Sequence, residues 1–260
     1  MSGTADTQGV NTHANVELAF RVAEETGDVK LAFHLEPYPG RTAFSVKEDV
    51  EYLIDIFGDS PALERSEDGR PVFYVYDSYH ILPEDWRKVF DLLSQSPMYA
   101  GYFIGLWLNA GSGEEALRGG FHGTYTYFAA NSFSYGSTLK NWPQMKRWSE
   151  EHNMSFIPSV APGYDDTKIR PWNSANLKPR EGGQYFKRMW EAATDAGSRV
   201  ISITSYNEWG EGTQIESARA DCGSVYKTYE PMSPHYYIEE TALWSDRLSK
   251  MWHAEQNNEL

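Results

Sequence analysis

The sequence predicts an α/β fold built from parallel strands, of the (β/α)8 or TIM-barrel type. Apolar runs rich in β-branched and aromatic residues alternate with segments of helical spacing, an order that favours parallel strands joined by right-handed crossovers. Polar and aromatic residues recur where these runs end, which is where a barrel builds its site. With 260 residues, of which 40% are hydrophobic, the chain suits one domain spanning residues 1–260.

The individual elements follow from local composition and spacing. Runs of β-branched and aromatic residues predict strands, and apolar residues three and four positions apart predict helices. The predicted strands are, in chain order, Val29–Pro37, Pro71–Ser78, Gly101–Leu108, Gly123–Ala129, Ser155–Ala161 and Arg199–Tyr206. The predicted helices are Ala14–Thr26, Val46–Phe57, Glu84–Leu93, Trp142–Glu151, Gln184–Ala196 and a closing helix around Tyr237–Trp252. An open doubly wound sheet is the alternative, although no Gly-x-Gly-x-x-Gly motif follows a strand.

Polar and aromatic side chains that could bind a ligand or take part in a reaction lie at the end of nearly every predicted strand. The segments concerned are His34–Tyr38, Tyr76–His80, Trp107–Asn109, Tyr125–Phe128 and Tyr206–Trp209. In a barrel, the carboxyl ends of the parallel strands surround one mouth, and the active site lies there. A barrel therefore explains the recurrence more simply than an open sheet does.

The number of strands departs from that of a complete barrel. About six of eight strands are evident, and the sequence opens on a helix that leads into a strand. A barrel without two adjacent strands would expose two sheet edges and one wall of its core. We therefore expect an N-terminally truncated barrel that lacks its first two βα units.

The composition argues against several classes of partner. A formal net charge of −14 and a pI of about 4.9 oppose binding to nucleic acids or to anionic lipid surfaces. Met1–Val10 lacks the apolar segment of an export signal, and no apolar run is long enough to span a membrane. The single cysteine, Cys222, excludes an intrachain disulfide and a cysteine-based metal site. An aromatic content of 15% suits stacking on neutral sugar rings, although such side chains equally fill cores.

Two acids three residues apart follow the last predicted strand. Glu208 and Glu211 lie in the segment Ser205–Glu216, beside glycines that free the backbone from extended geometry. Glycoside hydrolysis needs one acid to protonate the leaving oxygen and a second carboxylate to assist at or near the anomeric carbon. We expect both side chains to face one cavity, with burial beside Trp209 keeping one of them protonated. The alternative is that Glu208 caps a helix and Glu211 is solvated.

Other strand ends and one long loop carry further candidates. Period two places His34 and Glu36 on one strand face, where Glu36 is either a ligand to sugar hydroxyls or a loop-capping group. Groups that bind polyols are also present in Tyr76, Asp77, His80, Tyr125 and Tyr127. For each tyrosine, a core ring with its hydroxyl at the rim is the more frequent arrangement. Arg170, on the loop Pro162–Gly183, is placed either to reach a ligand or to form a structural salt bridge.

Other enzyme chemistries lack their sequence signatures. No His-x-x-x-His or similar ligand spacing predicts a metal site, so we expect neither a metal nor a cofactor. A Ser/His/Asp hydrolase is not supported, because no Gly-x-Ser-x-Gly motif is present.

Several stretches, in order along the chain, resemble a known family. They are Phe33–Tyr38, Tyr74–Tyr79, Gly123–Ala129, Phe156–Val160, Ile169–Asn173, Ile203–Trp209 and Glu211–Glu216. Through them the chain resembles glycoside hydrolase family 99, the endo-α-1,2-mannosidases, over nearly its whole length. The resemblance implies a (β/α)8 barrel enzyme whose product keeps the anomeric configuration of the substrate. The family's first two strands have no counterpart before Val29.

The same resemblance implies a mechanism for the two acids. Glu208 would remove the proton of the mannose 2-hydroxyl, and the ring would close to a 1,2-anhydro sugar intermediate. Glu211 would protonate the leaving sugar and later activate water. An axial 2-hydroxyl lies opposite the departing axial bond of an α-mannoside, so the enzyme supplies orientation and proton transfer.

Substrate contacts and partners are implied in the same way. Glu36, His80 and Tyr127 would line the subsite where the bond breaks, and Asn207 and Arg170 would hold the sugar on the leaving side. The implied substrate is an α-mannoside oligosaccharide, either a glycoprotein N-glycan or α-mannan. The implied location is the Golgi lumen for a eukaryotic protein, and the periplasm or the outside of the cell for a bacterial one. We expect a monomer with no nucleic-acid partner. A catalytically inactive carbohydrate-binding remnant and an α-glucanase on a related barrel remain the alternatives.

Overall fold

The structure, a computed structural model, describes residues 13–218 and 228–258. Its strands are β1 (Phe33–Leu35), β2 (Val72–Val75), β3 (Tyr102–Leu106), β4 (Gly123–Tyr125), β5 (Ser155–Ile157), β6 (Ser159–Val160) and β7 (Ser202–Ile203). Its α-helices are α1 (His13–Thr26), α2 (Ala43–Phe57), α3 (Pro83–Ser94), α4 (Ser112–Gly119), α5 (Trp142–Glu151), α6 (Gln184–Asp195) and α7 (Tyr236–Asn258). The predicted alternation of strand and helix is confirmed in this part of the chain. Cys222 and Met1–Val10 lie outside the described residues.

The strands pair in parallel where their register is defined. β1 to β5 form one sheet in chain order, and β6 pairs with β7 in a second sheet. β1 pairs with β2, β2 with β3, and β6 with β7, each in parallel. Parallel neighbours need a crossover, and α2 and α3 supply it for the first two pairs. This arrangement agrees with the predicted α/β class.

The predicted strand Ser155–Ala161 is divided at Pro158, which separates β5 from β6. A proline has no N–H to donate to a neighbouring strand. The Pro158 carbonyl nevertheless accepts a hydrogen bond from the Ser202 N–H at 3.0 Å. The chain therefore leaves the first sheet at Pro158 and enters the second directly after it.

Helix α4 is absent from the sequence-based prediction. It contains Gly113 and Gly119, and glycine is a poor helix former. Gly119 is closely packed, because a Cβ atom there would lie 3.3 Å from the Phe121 ring. Gly120 ends the helix in the left-handed conformation, with a φ angle of 81°. Tertiary contact rather than intrinsic propensity thus decides this helix.

The chain contains two compact units. Unit 1 comprises Met1–Leu106, Gly111–Thr124 and His152–Ser155. Its core includes phenylalanines that the parallel register of β1, β2 and β3 places side by side: Phe33 pairs with Phe73, and Phe73 with Phe103. The rings of Phe73 and Phe103 lie 5.6 Å apart between centroids, and Phe90 of α3 stacks on Phe103 at 4.1 Å. Stacked rings thus join these strands to a covering helix.

Unit 2 comprises Trp107–Ala110, Tyr125–Glu151 and Phe156–Leu260. Its core is built from α5, α6 and α7, which contribute the buried side chains of Trp142, Met189 and Tyr237. Trp190 of α6 and Trp244 of α7 stack with centroids 5.9 Å apart and planes within 4°. Val160 of β6 belongs to the same core, so these helices support the short sheet formed by β6 and β7.

In residues 13–218 and 228–258, no helix is both long enough and apolar enough to cross a membrane. The same residues contain no group of three or more histidine, cysteine, aspartate or glutamate side chains arranged to hold a metal ion.

Candidate active site

The loop that follows β7, residues 205–216, is closed at its base by its own backbone. The Ser205 N–H donates to the Thr213 carbonyl at 3.0 Å, and the Ile215 N–H donates to the Ser205 carbonyl at 3.0 Å. The hydroxyls of Ser205 and Thr213 also lie 2.7 Å apart, and Thr213 is completely buried. The ends of the loop are therefore fixed, and its tip carries the two acids. We call residues 205–216 the acidic loop.

A tight turn holds Glu208 and Glu211 in a defined relation. Trp209–Glu211 forms a 3-10 helix with Glu208 at its N-cap position. The Glu208 carbonyl accepts hydrogen bonds from the N–H groups of Glu211, at 3.2 Å, and Thr213, at 3.3 Å. One short turn thus carries both acids, and the expectation that their side chains face one cavity stays a prediction.

The Glu208 side chain is exposed and does not cap the turn. Its backbone N–H donates to the Ser205 hydroxyl at 3.0 Å. Its carboxylate makes no hydrogen bond or ion pair with any residue that the structure describes. The helix-capping alternative is therefore not observed, and the carboxylate is available to a ligand.

The Glu211 side chain is paired rather than solvated. Its Oε1 lies 2.8 Å from Nη1 of Arg170, and only 21% of the side chain is exposed. The same Nη1 donates to Oδ2 of Asp166 at 3.2 Å. Arg170 thus forms the salt bridge that the sequence left open, and one partner is a predicted catalytic acid.

Asp166 is the buried anchor of this network. It is only 1% exposed, and its Oδ2 also accepts hydrogen bonds from the Tyr164 hydroxyl and the Asn173 amide, each at 2.9 Å. Burial raises the pKa of Asp166, but the hydrogen bonds from Asn173, Tyr164 and Arg170 outweigh it and leave the pKa lowered. Hydrogen bonds to Glu211 and Asp166 raise the pKa of Arg170 further above its ordinary value. The network therefore keeps a charged guanidinium beside Glu211.

The indole of Trp209 is hydrogen bonded to a third acid of the acidic loop. Its indole N–H donates to Oε2 of Glu216 at 2.8 Å, and the adjacent Glu208 is exposed. The indole therefore binds an acid of the acidic loop other than the two predicted catalytic acids.

Tyr127 and Asn207 are placed by strand ends of unit 2. Tyr127 has a φ angle of 54°, a rare conformation for a bulky residue. Its N–H donates to the Ser159 hydroxyl at 2.6 Å, and its carbonyl accepts from the Thr204 hydroxyl, just before the acidic loop. Such strain is maintained only where surrounding contacts impose it, and it concentrates at functional sites. Asn207 is exposed and directly precedes Glu208.

Glu36 and His80 belong to unit 1. Nδ1 of His34 lies 2.8 Å from Oε1 of Glu36, as expected for two side chains on one strand face. Nε2 of His80 lies 3.8 Å from Oδ2 of Asp77, and the His80 ring packs on Tyr79 with centroids 4.5 Å apart. Each candidate of this unit is thus paired with a neighbour in its own segment.

Arg41 fixes the segment that leads to His80. Its two guanidinium nitrogens donate to the carbonyls of Tyr76, at 2.8 Å, and Asp77, at 2.6 Å. Asp77 has a φ angle of 48°, so this bend after β2 is held in an uncommon conformation. Burial and a hydrogen bond to Asp77 raise the pKa of Tyr79 to about 12, so its hydroxyl stays protonated at neutral pH.

Sequence reasoning missed the residues that hold Arg170 in place. Asp166 is four residues before Arg170, the spacing at which opposite charges meet on a helical turn, and that spacing was the available signal. Tyr164 and Asn173 have no comparable signal, because their contacts with Asp166 depend on the path of the loop. Within unit 2 the structure joins Glu211 to Arg170 and places Glu208 on the same turn.

The chain matches the model of glycosyl hydrolase family 99 over residues 4–250. It is 40% identical to a glycoprotein endo-alpha-1,2-mannosidase-like protein of Danio rerio, over 95% of this chain and 58% of that protein. It is 42% identical to a glycoprotein endo-alpha-1,2-mannosidase of Rattus norvegicus, over 86% of this chain and 50% of that protein. The chain thus spans about half the length of these curated relatives.

A solved structure shows the same fold. The endo-alpha-mannosidase of family 99 from Bacteroides thetaiotaomicron, in complex with bis-tris propane, superimposes with a TM-score of 0.88 at 41% identity. The match covers 95% of this chain and 78% of that protein. This likeness confirms the predicted α/β fold of the (β/α)8 type. On these grounds together, the chain belongs to glycosyl hydrolase family 99.

Proposed function

We propose that this chain supplies the catalytic acids of an endo-acting α-mannosidase that cleaves internal α-1,2-mannosidic bonds, in N-glycans or in α-mannan. One observation carries the proposal. An exposed carboxylate without a described partner, Glu208, lies on the same turn as a carboxylate held by a fixed arginine, Glu211. Family membership and the names of the relatives support the substrate class. Two carboxylates in different environments can take different roles.

The proposed first step forms one bond and breaks another. Glu208 takes the proton of the mannose 2-hydroxyl as that oxygen attacks the anomeric carbon from the face opposite the leaving group. Glu211 gives its proton to the glycosidic oxygen as the bond to the anomeric carbon breaks. The products are a 1,2-anhydro sugar and the shortened glycan. Each proton transfer lowers the barrier because the transferring group is already in position.

The second step restores the acids and retains configuration. Glu211, now ionised, takes a proton from water as the water attacks the anomeric carbon. The bond from that carbon to the 2-oxygen breaks, and the oxygen recovers its proton from Glu208. Two inversions at one carbon give net retention.

The remaining candidates hold the sugar in this proposal. Glu36, His80 and Tyr127 line the subsite where the bond breaks, and Asn207 and Arg170 bind the sugar on the leaving side. Glu211 must carry a proton in the first step, and its other carboxyl oxygen can then still accept a hydrogen bond from Arg170. The buried Asp166 would keep the guanidinium in place throughout.

Replacement of each acid tests the function. On a 3-substituted α-1,2-linked mannobioside, we expect Glu208→Gln and Glu211→Gln each to lower kcat by about 10³-fold, because each removes a proton transfer. Glu191→Gln in α6 is the control, since Glu191 is a surface acid paired with Lys187. Equal rates for the wild type and both variants, at the level without enzyme, would refute the enzyme hypothesis.

Two further substrates separate the roles of the acids. A substrate with an activated leaving group needs no general acid, so it should restore the first step in Glu211→Gln but not in Glu208→Gln. A 2-O-methyl substrate has no proton for Glu208 to remove and should resist the wild type. Proton NMR should show the α-anomer as the first product. Turnover of the 2-O-methyl compound would contradict the anhydro intermediate, and cleavage of an α-glucan alone would favour the glucanase.

A further inference from the structure

Arg180 binds the acidic loop immediately after Glu211. Its Nη2 donates to the carbonyl of Gly212 at 3.0 Å and to that of Gln214 at 2.7 Å. These carbonyls lie one and three residues beyond Glu211 in the chain. A planar guanidinium can hold two acceptors in a fixed geometry, which a lysine ammonium does less well. Arg180 thus restrains the backbone that carries the proposed general acid.

Tyr229 reinforces the same contact. Its hydroxyl is directed at the carbonyls of Gln214, at 3.1 Å, and Glu216, at 2.7 Å. Burial raises the pKa of Tyr229 to about 12, so the hydroxyl can donate at neutral pH. The Arg180 guanidinium also lies over the rings of Tyr229, at 4.9 Å, and Tyr237, at 4.5 Å. We call Arg180 and Tyr229, which share the Gln214 carbonyl, the carbonyl clamp.

The acidic loop needs such a clamp because packing on one side is incomplete. A cavity of about 340 Å³ is lined by Trp209, Gly212 and Gln214 of the acidic loop, and by both clamp residues. Where a cavity borders a segment, dispersion contacts are lost and close packing cannot fix its position. Directional hydrogen bonds to the carbonyls can take over that task.

We propose that Arg180 and Tyr229 are positioning residues for glycoside cleavage: by fixing the carbonyls after Glu211, they set where its carboxyl group meets the glycosidic oxygen. This proposal rests on the proposed function. Neither residue touches the reacting atoms. Misplacement of a catalytic group by about 1 Å costs about 10²-fold in rate. The clamp therefore acts on the chemical step more than on substrate binding.

Kinetic measurements on Arg180→Lys and Tyr229→Phe test this directly. Each variant should lower kcat by about 10- to 100-fold with KM changed by less than about threefold, because a misplaced acid affects the transition state rather than the ground state. The double variant should lose less than the product of the single losses, since both residues bind Gln214. A loss confined to KM, or full activity in both single variants, would overturn the proposal.

Chemical rescue separates positioning from general structural damage. In Arg180→Ala, added guanidinium chloride at millimolar concentration should enter from the adjoining cavity, bind the Gly212 and Gln214 carbonyls, and restore kcat in a saturable way. Arg188→Ala is the matched control: Arg188 pairs with Glu181 at 2.9 Å and stacks on Tyr185, so neither loss nor rescue is expected. A folded but inactive Arg180→Ala that guanidinium fails to rescue would count against the clamp.

Hydrogen exchange gives a readout that does not depend on activity. The amides of Thr213 and Ile215 donate within the acidic loop and should exchange faster in Arg180→Lys, while those of α6 stay protected. If the wild type is inactive but exchange in the acidic loop still rises in Arg180→Lys, the proposed function fails, and the positioning role fails with it. The restraint of the acidic loop by Arg180 would still stand. If the wild type is active and neither exchange nor kcat changes, the clamp alone is wrong.

Discussion

Among single side chains, His122 in unit 1 shows how a residue without a proposed catalytic role shapes the response to pH. Its Nε2 lies 2.6 Å from Nη1 of Arg70, and its backbone carbonyl accepts a hydrogen bond from Ser155 at 3.0 Å. Burial, together with the positive charge of Arg70, lowers the pKa of His122 from 6.5 to about 4. Protonation is therefore easier in the unfolded chain than in the folded one.

This difference predicts a loss of stability on acidification. Above pH 6.5 His122 is neutral in both states, and as the pH falls toward 4 the unfolded chain takes up the proton first. Between pH 7 and pH 5 the free energy of unfolding should drop by about 2 kcal/mol from this group. Urea unfolding of the wild type and of His122→Gln at both pH values measures it. Equal pH dependence in the two proteins would contradict the assignment.

The sequence singled out the two acids and the arginine as candidates, but it did not show the contacts among them. The sequence shows charged residues after the last predicted strand, at Glu208 and Glu211, and on a long loop, at Arg170. The burial of Asp166 and its capture of Arg170 depend on a loop path that residue types alone do not fix. The outcome for Trp209, which binds Glu216, likewise follows from the direction of one turn.

Among the elements, the acidic loop owes its shape to Gly212 as well as to its hydrogen bonds. Gly212 has a φ angle of 64°, and a Cβ atom there would lie 3.1 Å from both the backbone N and O of Asp165. The Asp165 N–H donates to the Glu211 carbonyl at 2.8 Å, so crowding at Gly212 would disturb a contact of the proposed general acid. Only glycine suits both the conformation and the space.

Substitution of Gly212 by alanine should therefore lower activity as well as stability. The left-handed conformation costs an alanine about 1–2 kcal/mol, and displacement of Asp165 should add at least about a tenfold loss of kcat. Gly197→Ala is the matched control, because Gly197 has a φ angle of 76° with nothing within 4 Å of its Cβ position. Thermal unfolding should show a comparable loss of stability in both variants. Mannobioside kinetics should show a large loss of kcat in Gly212→Ala alone. Equal kcat values in the two variants would contradict the role given to crowding at Gly212.

The element pattern was largely predictable because it depends on local signals. Each predicted strand contains an observed one, since β-branched and aromatic runs reflect burial in a sheet. Two elements depart from the local signals. Pro158, which has no N–H, separates β5 from β6, and α4 forms through tertiary contact although its two glycines lower its intrinsic helix propensity.

At the scale of the whole molecule, the net charge of −14 bears on substrate choice. Acidic residues outnumber basic ones by 37 to 23, so the chain as a whole repels anions. A neutral mannoside experiences no such repulsion. A phosphorylated mannoside does, and the effect weakens as salt screens the charges.

We therefore expect phosphorylated α-1,2-manno-oligosaccharides to be poorer substrates at low ionic strength. Their kcat/KM should lie several-fold below that of the neutral compound at about 10 mM salt and should recover part of the difference at about 150 mM. The neutral substrate, measured in the same buffers, is the control and should change little. A salt-independent ratio between the two would show that local contacts, not net charge, decide the preference.

The sequence by itself determined the α/β class, the order of strands and helices and the family, and it singled out the two acids as candidates. These depend on composition, periodicity and motif, which are properties of neighbouring residues. Only the tertiary structure decided that Glu208 is exposed while Glu211 is held by Arg170, that Asp166 is buried beneath that pair, and that Arg180 and Tyr229 grip the carbonyls after Glu211. These contacts join residues distant in the chain, and their energies depend on burial and geometry that exist only once the loops have folded.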